Sequence, residues 1–301
     1  MRRSNRLPER IRWLGTAVAA TLIGAGCGGD NLGPDGEGVL GEWVRSFGVQ
    51  RTYELRLPAS YTESQPAPLL LAFHGSPDSG AGFEARSGLT PAADQAGFIT
   101  VYPDGIDGTW DVNDVLLVVN LIRQLSDNLS VDRDRIYVTG FSAGGTITHL
   151  IACALPDLLA AVAVVGATLE SNISDSCQPL QSIPLLLVHG TEDTAFPWEG
   201  LTIGNLRRFS VEETLARWTA LNRCVGDPAV DTLPDLVDDG TRAWTELWST
   251  CAGSSEVMFY GIEGGGHTWP SGPGPFPPGR ISREISSEEI VAFLGSFDRG
   301  R

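Results

Sequence analysis

A succession of short apolar runs, each parted from the next by a stretch with helical spacing, is the feature that most limits what this chain can become. Leu69–Phe73 (LLLAF), Phe98–Tyr102, Arg135–Thr139, Ala160–Val165, Pro184–Val188 and Val257–Ile262 read as strands, and their scarcity of polar residues suits strands covered on both faces. Val112–Leu129, Gly144–Ala154, Val211–Leu221 and Ser287–Phe297 carry apolar residues three and four apart and read as helices, the last with Ser286 or Ser287 as its N-cap. Thr52–Leu57 alternates and reads as an outer strand. Alternation of this kind predicts an α/β fold with a mainly parallel central sheet and helices on both faces. In such sheets reacting groups gather where the carboxyl ends of the strands meet. No internal repeat or second linker interrupts the pattern, so residues 39–299 are expected to form one domain.

The first 26 residues differ in character. Arg2, Arg3, Arg6, Arg10 and Arg12 make a basic start, Trp13–Ile23 is an apolar run too short to span a bilayer, and small residues then lead to Cys27. Residues 1–26 therefore read as an export signal resembling that of bacterial lipoproteins, with Cys27 as the lipidated residue. Residues 27–38, rich in Gly and Asp, read as a flexible tether. An ordinary secretory signal cleaved nearby is the alternative. Either way the chain is expected to be exported, to the cell envelope or beyond. Cys153, Cys177, Cys224 and Cys251 then suggest two disulfides, and Cys153–Cys177 with Cys224–Cys251 is the pairing that closes modest local loops. The net charge is −16 and every basic residue is an arginine. Such acidity argues against nucleic acid or an anionic membrane surface as partner. Membrane contact is expected only through a lipid on Cys27, and the chain is expected to be a monomer.

Gly140-Phe141-Ser142-Ala143-Gly144 joins a buried strand to a helix. Gly-x-Ser-x-Gly in that setting makes a sharp turn that strains the serine and presents its hydroxyl at a helix N-terminus. A serine hydroxyl is a poor nucleophile and needs a base. Four histidines are available. His149 lies two helical turns beyond the serine and reads as a surface or packing residue, while His74 and His189 end strands and read as turn-fixing residues. His267 follows Gly264-Gly265-Gly266 just after a strand and satisfies the order serine, acid, histidine. Asp193, after the strand Pro184–Val188, is the acid, with Glu192 as competitor. The developing oxyanion needs two backbone donors, Ala143 N–H and one from the loop after Phe73, at Gly75 or Ser76, of which Ser76 is preferred.

The segments PLLLAFHGS, AADQAGFITVYPDG, NDV, VDRDRIYVTGFSAGG, HGTEDTAFPW, LARWTALNRC and GGGHTWP occur in that order. Together they resemble the bacterial polyhydroxybutyrate depolymerase and feruloyl esterase family of the α/β-hydrolase superfamily. The resemblance implies that fold, a Ser142–Asp193–His267 triad, and hydrolysis of carboxylic esters through an acyl-enzyme without a cofactor. It also supports the Cys224–Cys251 bridge. Three departures stand out: the loop between Trp110 and Asn113-Asp114-Val115 is trimmed, Ala143 replaces a frequent Asn, and Phe196 stands where Val is common.

Trp110, Trp198, Trp269 and Phe276 fall in or near the loops expected at the site and are candidates for a substrate rim, with internal packing as the other reading. The expected partner is a polymeric or small ester: polyhydroxybutyrate first, with a feruloyl or acetylxylan ester of plant cell wall as the alternative. A serine peptidase and a non-catalytic surface-binding protein are the remaining readings. Asp107, Asp111 and Asp114 faintly resemble a calcium loop, but Pro103 and Gly105 occupy positions that require oxygen ligands, so no metal is expected. With an imidazole base, activity should rise between about pH 5 and about pH 8.

Overall fold

The computed structural model describes residues 40–179, 181–273 and 279–300. The signal segment, the tether with Cys27, and Phe276 lie outside the described residues. All those described belong to one compact unit. In chain order its strands are β1 (Leu40–Ser46), β2 (Val49–Arg56), β3 (Ala67–Phe73), β4 (Ile99–Pro103), β5 (Val131–Phe141), β6 (Ala161–Val165), β7 (Leu185–Gly190), β8 (Leu201–Ile203), β9 (Leu206–Arg208), β10 (Ala229–Thr232), β11 (Arg242–Trp248) and β12 (Val257–Glu263). Its helices are α1 (Gly80–Ser87), α2 (Leu89–Gln95), α3 (Asp114–Asn128), α4 (Ala143–Ala154), α5 (Ser171–Ser174), α6 (Val211–Leu221) and α7 (Ser287–Gly295).

Ten strands form one sheet in the order β1-β2-β4-β3-β5-β6-β7-β12-β11-β10. The run from β4 through β12 is parallel, and the antiparallel pairs lie at the two edges. The expected mainly parallel sheet is therefore present. Its apolar runs feed both faces: Leu69, Leu71 and Phe73 enter one core, Leu70 and Ala72 the other. Helices α3, α4 and α6 cover the first core, and α1, α2 and α7 the second. Each large apolar side chain buried in this way contributes roughly 1.5–3 kcal/mol.

Helix α6 shows why the helical stretches form. Ser210 accepts from the Glu213 backbone N–H while the Glu213 carboxylate reaches back to the Ser210 N–H, and Val211, Thr214, Leu215 and Trp218 present one buried face. Helix α7 has the same reciprocal cap, with Ser286 rather than Ser287 as the N-cap. The sequence reading missed α1, α2, α5, β1, the β8–β9 hairpin, β10 and β11, and it took β2 for an outer strand although β1 lies outside it. Cys153 pairs with Cys177 and Cys224 with Cys251. The first bridge ties the end of α4 to the segment after α5. The second ties the end of α6 to the segment after β11.

Candidate active site

Strands β3, β5, β7 and β12 deliver the candidate residues to one carboxyl edge of the sheet. Ser142 lies between β5 and α4 with φ 57° and ψ −119°, a region non-glycine residues seldom occupy. The surrounding packing enforces it. A Cβ on Gly140 would stand 2.1 Å from the Gly144 carbonyl oxygen, and one on Gly144 would stand 2.1 Å from that of Phe73. Only glycine fits at either position. Ser142 donates its backbone N–H to Val165 O (3.0 Å), and its carbonyl accepts the Thr146 N–H that opens α4 (2.9 Å). The Ala143 N–H belongs to the first helical turn, which has no intrahelical acceptor.

The Ser142 hydroxyl lies 2.9 Å from His267 Nε2. His267 Nδ1 lies 2.8 Å from Asp193 Oδ2. Because a carboxylate only accepts, Nδ1 carries the proton and Nε2 is the acceptor for the serine O–H. Asp193 is buried, and its other oxygen accepts the backbone N–H groups of Ala195 (2.9 Å) and Phe196 (2.7 Å). The imidazole of His267 packs between two rings: Phe141 at 4.8 Å and the nearly parallel Phe196 at 5.8 Å. Glu192, the competing acid, is exposed and pairs with Arg280 (3.1 Å).

The other histidines brace loops or fill the core. His74 donates from Nδ1 to Gly75 O (2.6 Å) and accepts the Gly105 N–H at Nε2 (2.9 Å). His189 donates from Nε2 to Phe196 O (2.8 Å), within the acid loop. His149 is buried in the core and accepts the Trp218 indole N–H (3.1 Å). Burial lowers the pKa of all three, that of His149 to about 3.

Gly75 is buried against the serine, since a Cβ on it would stand 3.2 Å from that of Ser142. Ser76, the next residue, is exposed. Trp110 and Trp198 are half-buried and each lines a cavity beside the site. Trp110 donates to His74 O (2.8 Å) and walls a cavity of about 270 Å³ with Ala143, Ile147, Ile173, Glu170 and Arg208. Trp198 borders a separate open groove along the acid loop. Trp269 corrects the sequence reading. It is 0% exposed, donates to Ser287 Oγ (2.9 Å) and packs edge-on against Phe83, so it is core and not rim. Asp114, one of the aspartates of the faint calcium-like pattern, forms a buried ion pair with Arg51 and accepts the Asp111 N–H, which anchors the trimmed Trp110 loop. Glu170, Ile147, Ile173 and Arg208 escaped the sequence reading. No local motif marks them, because only the packing of α4, α5 and β9 assembles that wall.

The profile of the phospholipase/carboxylesterase family matches residues 112–202. Feruloyl esterase B of Piromyces equi is 29% identical over 71% of this chain, which spans 42% of that protein's length. The putative esterase NocK of Nocardia uniformis subsp. tsuyamanensis is 29% identical over 82% of this chain and 80% of its own. Among solved structures, the feruloyl esterase module from Clostridium thermocellum complexed with sinapinate superposes with a TM-score of 0.61 at 14% identity, covering 89% of this chain and 90% of that one. Acetyl xylan esterase from Aspergillus awamori gives 0.58 at 18% identity, covering 81% and 94%. At these identities the structural likeness speaks to the fold.

Proposed function

We propose that this chain, which has the α/β-hydrolase fold and is related in sequence to esterases of that fold, is a serine esterase acting on hydroxycinnamoyl, above all feruloyl, esters of plant cell-wall polysaccharide. The observation that carries the reading is the continuous hydrogen-bonded line from Ser142 Oγ through His267 to Asp193. In this mechanism neutral His267 takes the serine proton at Nε2 as Oγ attacks the ester carbonyl. Asp193 holds the Nδ1–H tautomer and stabilises the imidazolium that forms. The backbone N–H groups of Ala143 and Ser76 receive the oxyanion, each worth roughly 3–4 kcal/mol of barrier lowering. His267 returns the proton to the leaving alcohol, and water repeats the sequence on the acyl-enzyme.

Sequence relatives named as feruloyl and acetylxylan esterases favour those esters over the polyhydroxybutyrate reading. The cavity beside Ala143 supports a choice between the first two. At about 270 Å³ it has room for a substituted aromatic ring, whereas an acetyl group leaves most of it unfilled. The export reading extends to the same proposal: the basic and apolar start leading to Cys27, together with the two disulfides, supports a single domain released to or anchored at the cell envelope.

The test is a side-by-side assay of feruloylated and acetylated xylo-oligosaccharides, hydroxybutyrate oligomers and short-chain nitrophenyl esters, with wild type and Ser142→Ala. The expected result is the highest kcat/KM on the feruloyl ester and loss of all turnover in the variant. Turnover that survives Ser142→Ala overturns the mechanism. A clear preference for acetyl or hydroxybutyrate esters overturns the substrate assignment.

A further inference from the structure

Phe196, one of the three departures from the family pattern, has two close partners. One face of its ring lies against the His267 imidazole, 12° from parallel. The guanidinium carbon of Arg208 stands 3.9 Å from the ring centroid. Arg208 ends β9, and its side chain is held at two further points. Nη1 donates to the Ala195 carbonyl oxygen (3.2 Å), and Nε donates to Glu170 Oε1 (3.1 Å). Glu170 is mostly buried and also bridges to Arg208 through the backbone. Ala195 and Phe196 are the two residues whose N–H groups bind Asp193 Oδ1. One guanidinium thus fixes both residues that hold the acid, and through the Phe196 ring it backs the base.

We propose that Arg208, locked by Glu170, is a positioning residue that sets the Asp193 loop and the His267 imidazole for proton transfer; this rests on the serine esterase reading above. A planar cation suits the position. It lies flat on an aromatic ring and donates in two directions within its own plane, which a lysine ammonium cannot reproduce. Asp193 and His267 lie on loops, and a catalytic geometry is only as good as the shell that supports it, where a displacement on the order of 1 Å can cost about 100-fold.

Arg208 also walls the cavity beside Ala143, so a role in gripping the acyl group is the competing explanation. Two substrates separate them. A positioning residue acts on every substrate, including an acetyl ester too small to fill the cavity, and acts on kcat. A contact residue acts on the large acyl group alone, and mainly on KM.

The experiment compares wild type, Arg208→Met, Arg208→Lys and Glu170→Gln on an acetyl and a feruloyl ester, with thermal melting as a folding control. The low-field proton resonance of the His267–Asp193 hydrogen bond is followed alongside. Arg208→Met is expected to lower kcat about 10- to 100-fold on both esters with KM little changed, and to broaden or lose the low-field proton. Arg208→Lys is expected to recover little, and Glu170→Gln, which retains an acceptor, to fall between. Added guanidinium should restore part of the kcat of Arg208→Met. A loss confined to the feruloyl ester, or an unchanged kcat on both esters while Ser142→Ala is inactive, overturns the positioning role and leaves the esterase reading intact. Should Arg208→Met fail to fold, Glu170→Gln decides, and wild-type kcat with an unaltered low-field proton in that variant overturns the inference.

Discussion

The strand ends and the rim of this molecule were assembled by different rules. Ser142, Asp193 and His267 each stand within four residues of the end of a buried parallel strand, and the sheet delivers them to within hydrogen-bonding distance of one another. The tryptophans chosen for the rim share no such anchor. Trp110 and Trp198 border two separate cavities, while Trp269, only two residues after His267, is wholly core. A residue at the end of a covered strand has its position set by the sheet. A residue farther along a loop takes its direction from contacts that no local pattern encodes.

The strand-end half of the comparison is most exposed to His267→Gln. If the imidazole is the base, turnover falls by at least about 10⁴-fold, and combining it with Ser142→Ala costs little more than either alone, which steady-state kinetics on the double variant would reveal. Additive losses would mean that the two side chains do not act as a unit.

Trp269→Ala probes the other half. A core indole truncated to a methyl should destabilise the domain by about 3–5 kcal/mol, read from denaturant unfolding, because it empties a packed volume and strips the Ser287 hydroxyl of its donor. Had Trp269 been part of the rim, KM would shift at unchanged stability.

The histidines sharpen the contrast further. His74, His149 and His189 are held below their usual pKa by burial, whereas in the unfolded chain each takes up a proton near pH 6.5. As pH drops below that value the unfolded state binds more protons, so stability falls. For His149 the window runs from about 6.5 down to about 3. Each such proton gives a slope of about 1.4 kcal/mol per pH unit. Urea midpoints measured across pH 4–7 should show the decline, and His149→Gln, which still accepts from Trp218, should flatten it.

Smaller effects are expected in the two cavities that border the site. Trp110→Ala should cost about 10-fold in kcat/KM on a feruloyl ester and little on an acetyl ester, since the indole walls the cavity beside Ala143. Glu192→Gln should change kcat less than about two-fold, because its carboxylate is exposed and its partner is the solvent-facing Arg280. A large loss there would reopen the choice of acid.

The same contrast explains what the sequence made legible. LLLAF, AVAVV and LLLV declare strands because both faces of each are buried, and Gly140-Phe141-Ser142-Ala143-Gly144 declares its turn because a side chain at either flanking glycine would strike backbone. Helices α1 and α2 are short, and α1 begins Gly80-Ala81-Gly82, so helical spacing hardly registers in them. Strands β8 and β9 have three residues each, and β8 is exposed throughout, which leaves no periodicity to read. Arg208 was invisible for a related reason. Its meaning lies in Phe196 and Glu170, which are distant in sequence and meet it only in the folded protein.

The most direct test of the shared site is covalent labelling with a fluorophosphonate, followed by peptide mapping and by the rate of labelling. The expected result is a single adduct on Ser142 that forms quickly in wild type and orders of magnitude more slowly in His267→Gln. An adduct elsewhere, or labelling of Ser142 at the same rate without the imidazole, would contradict it.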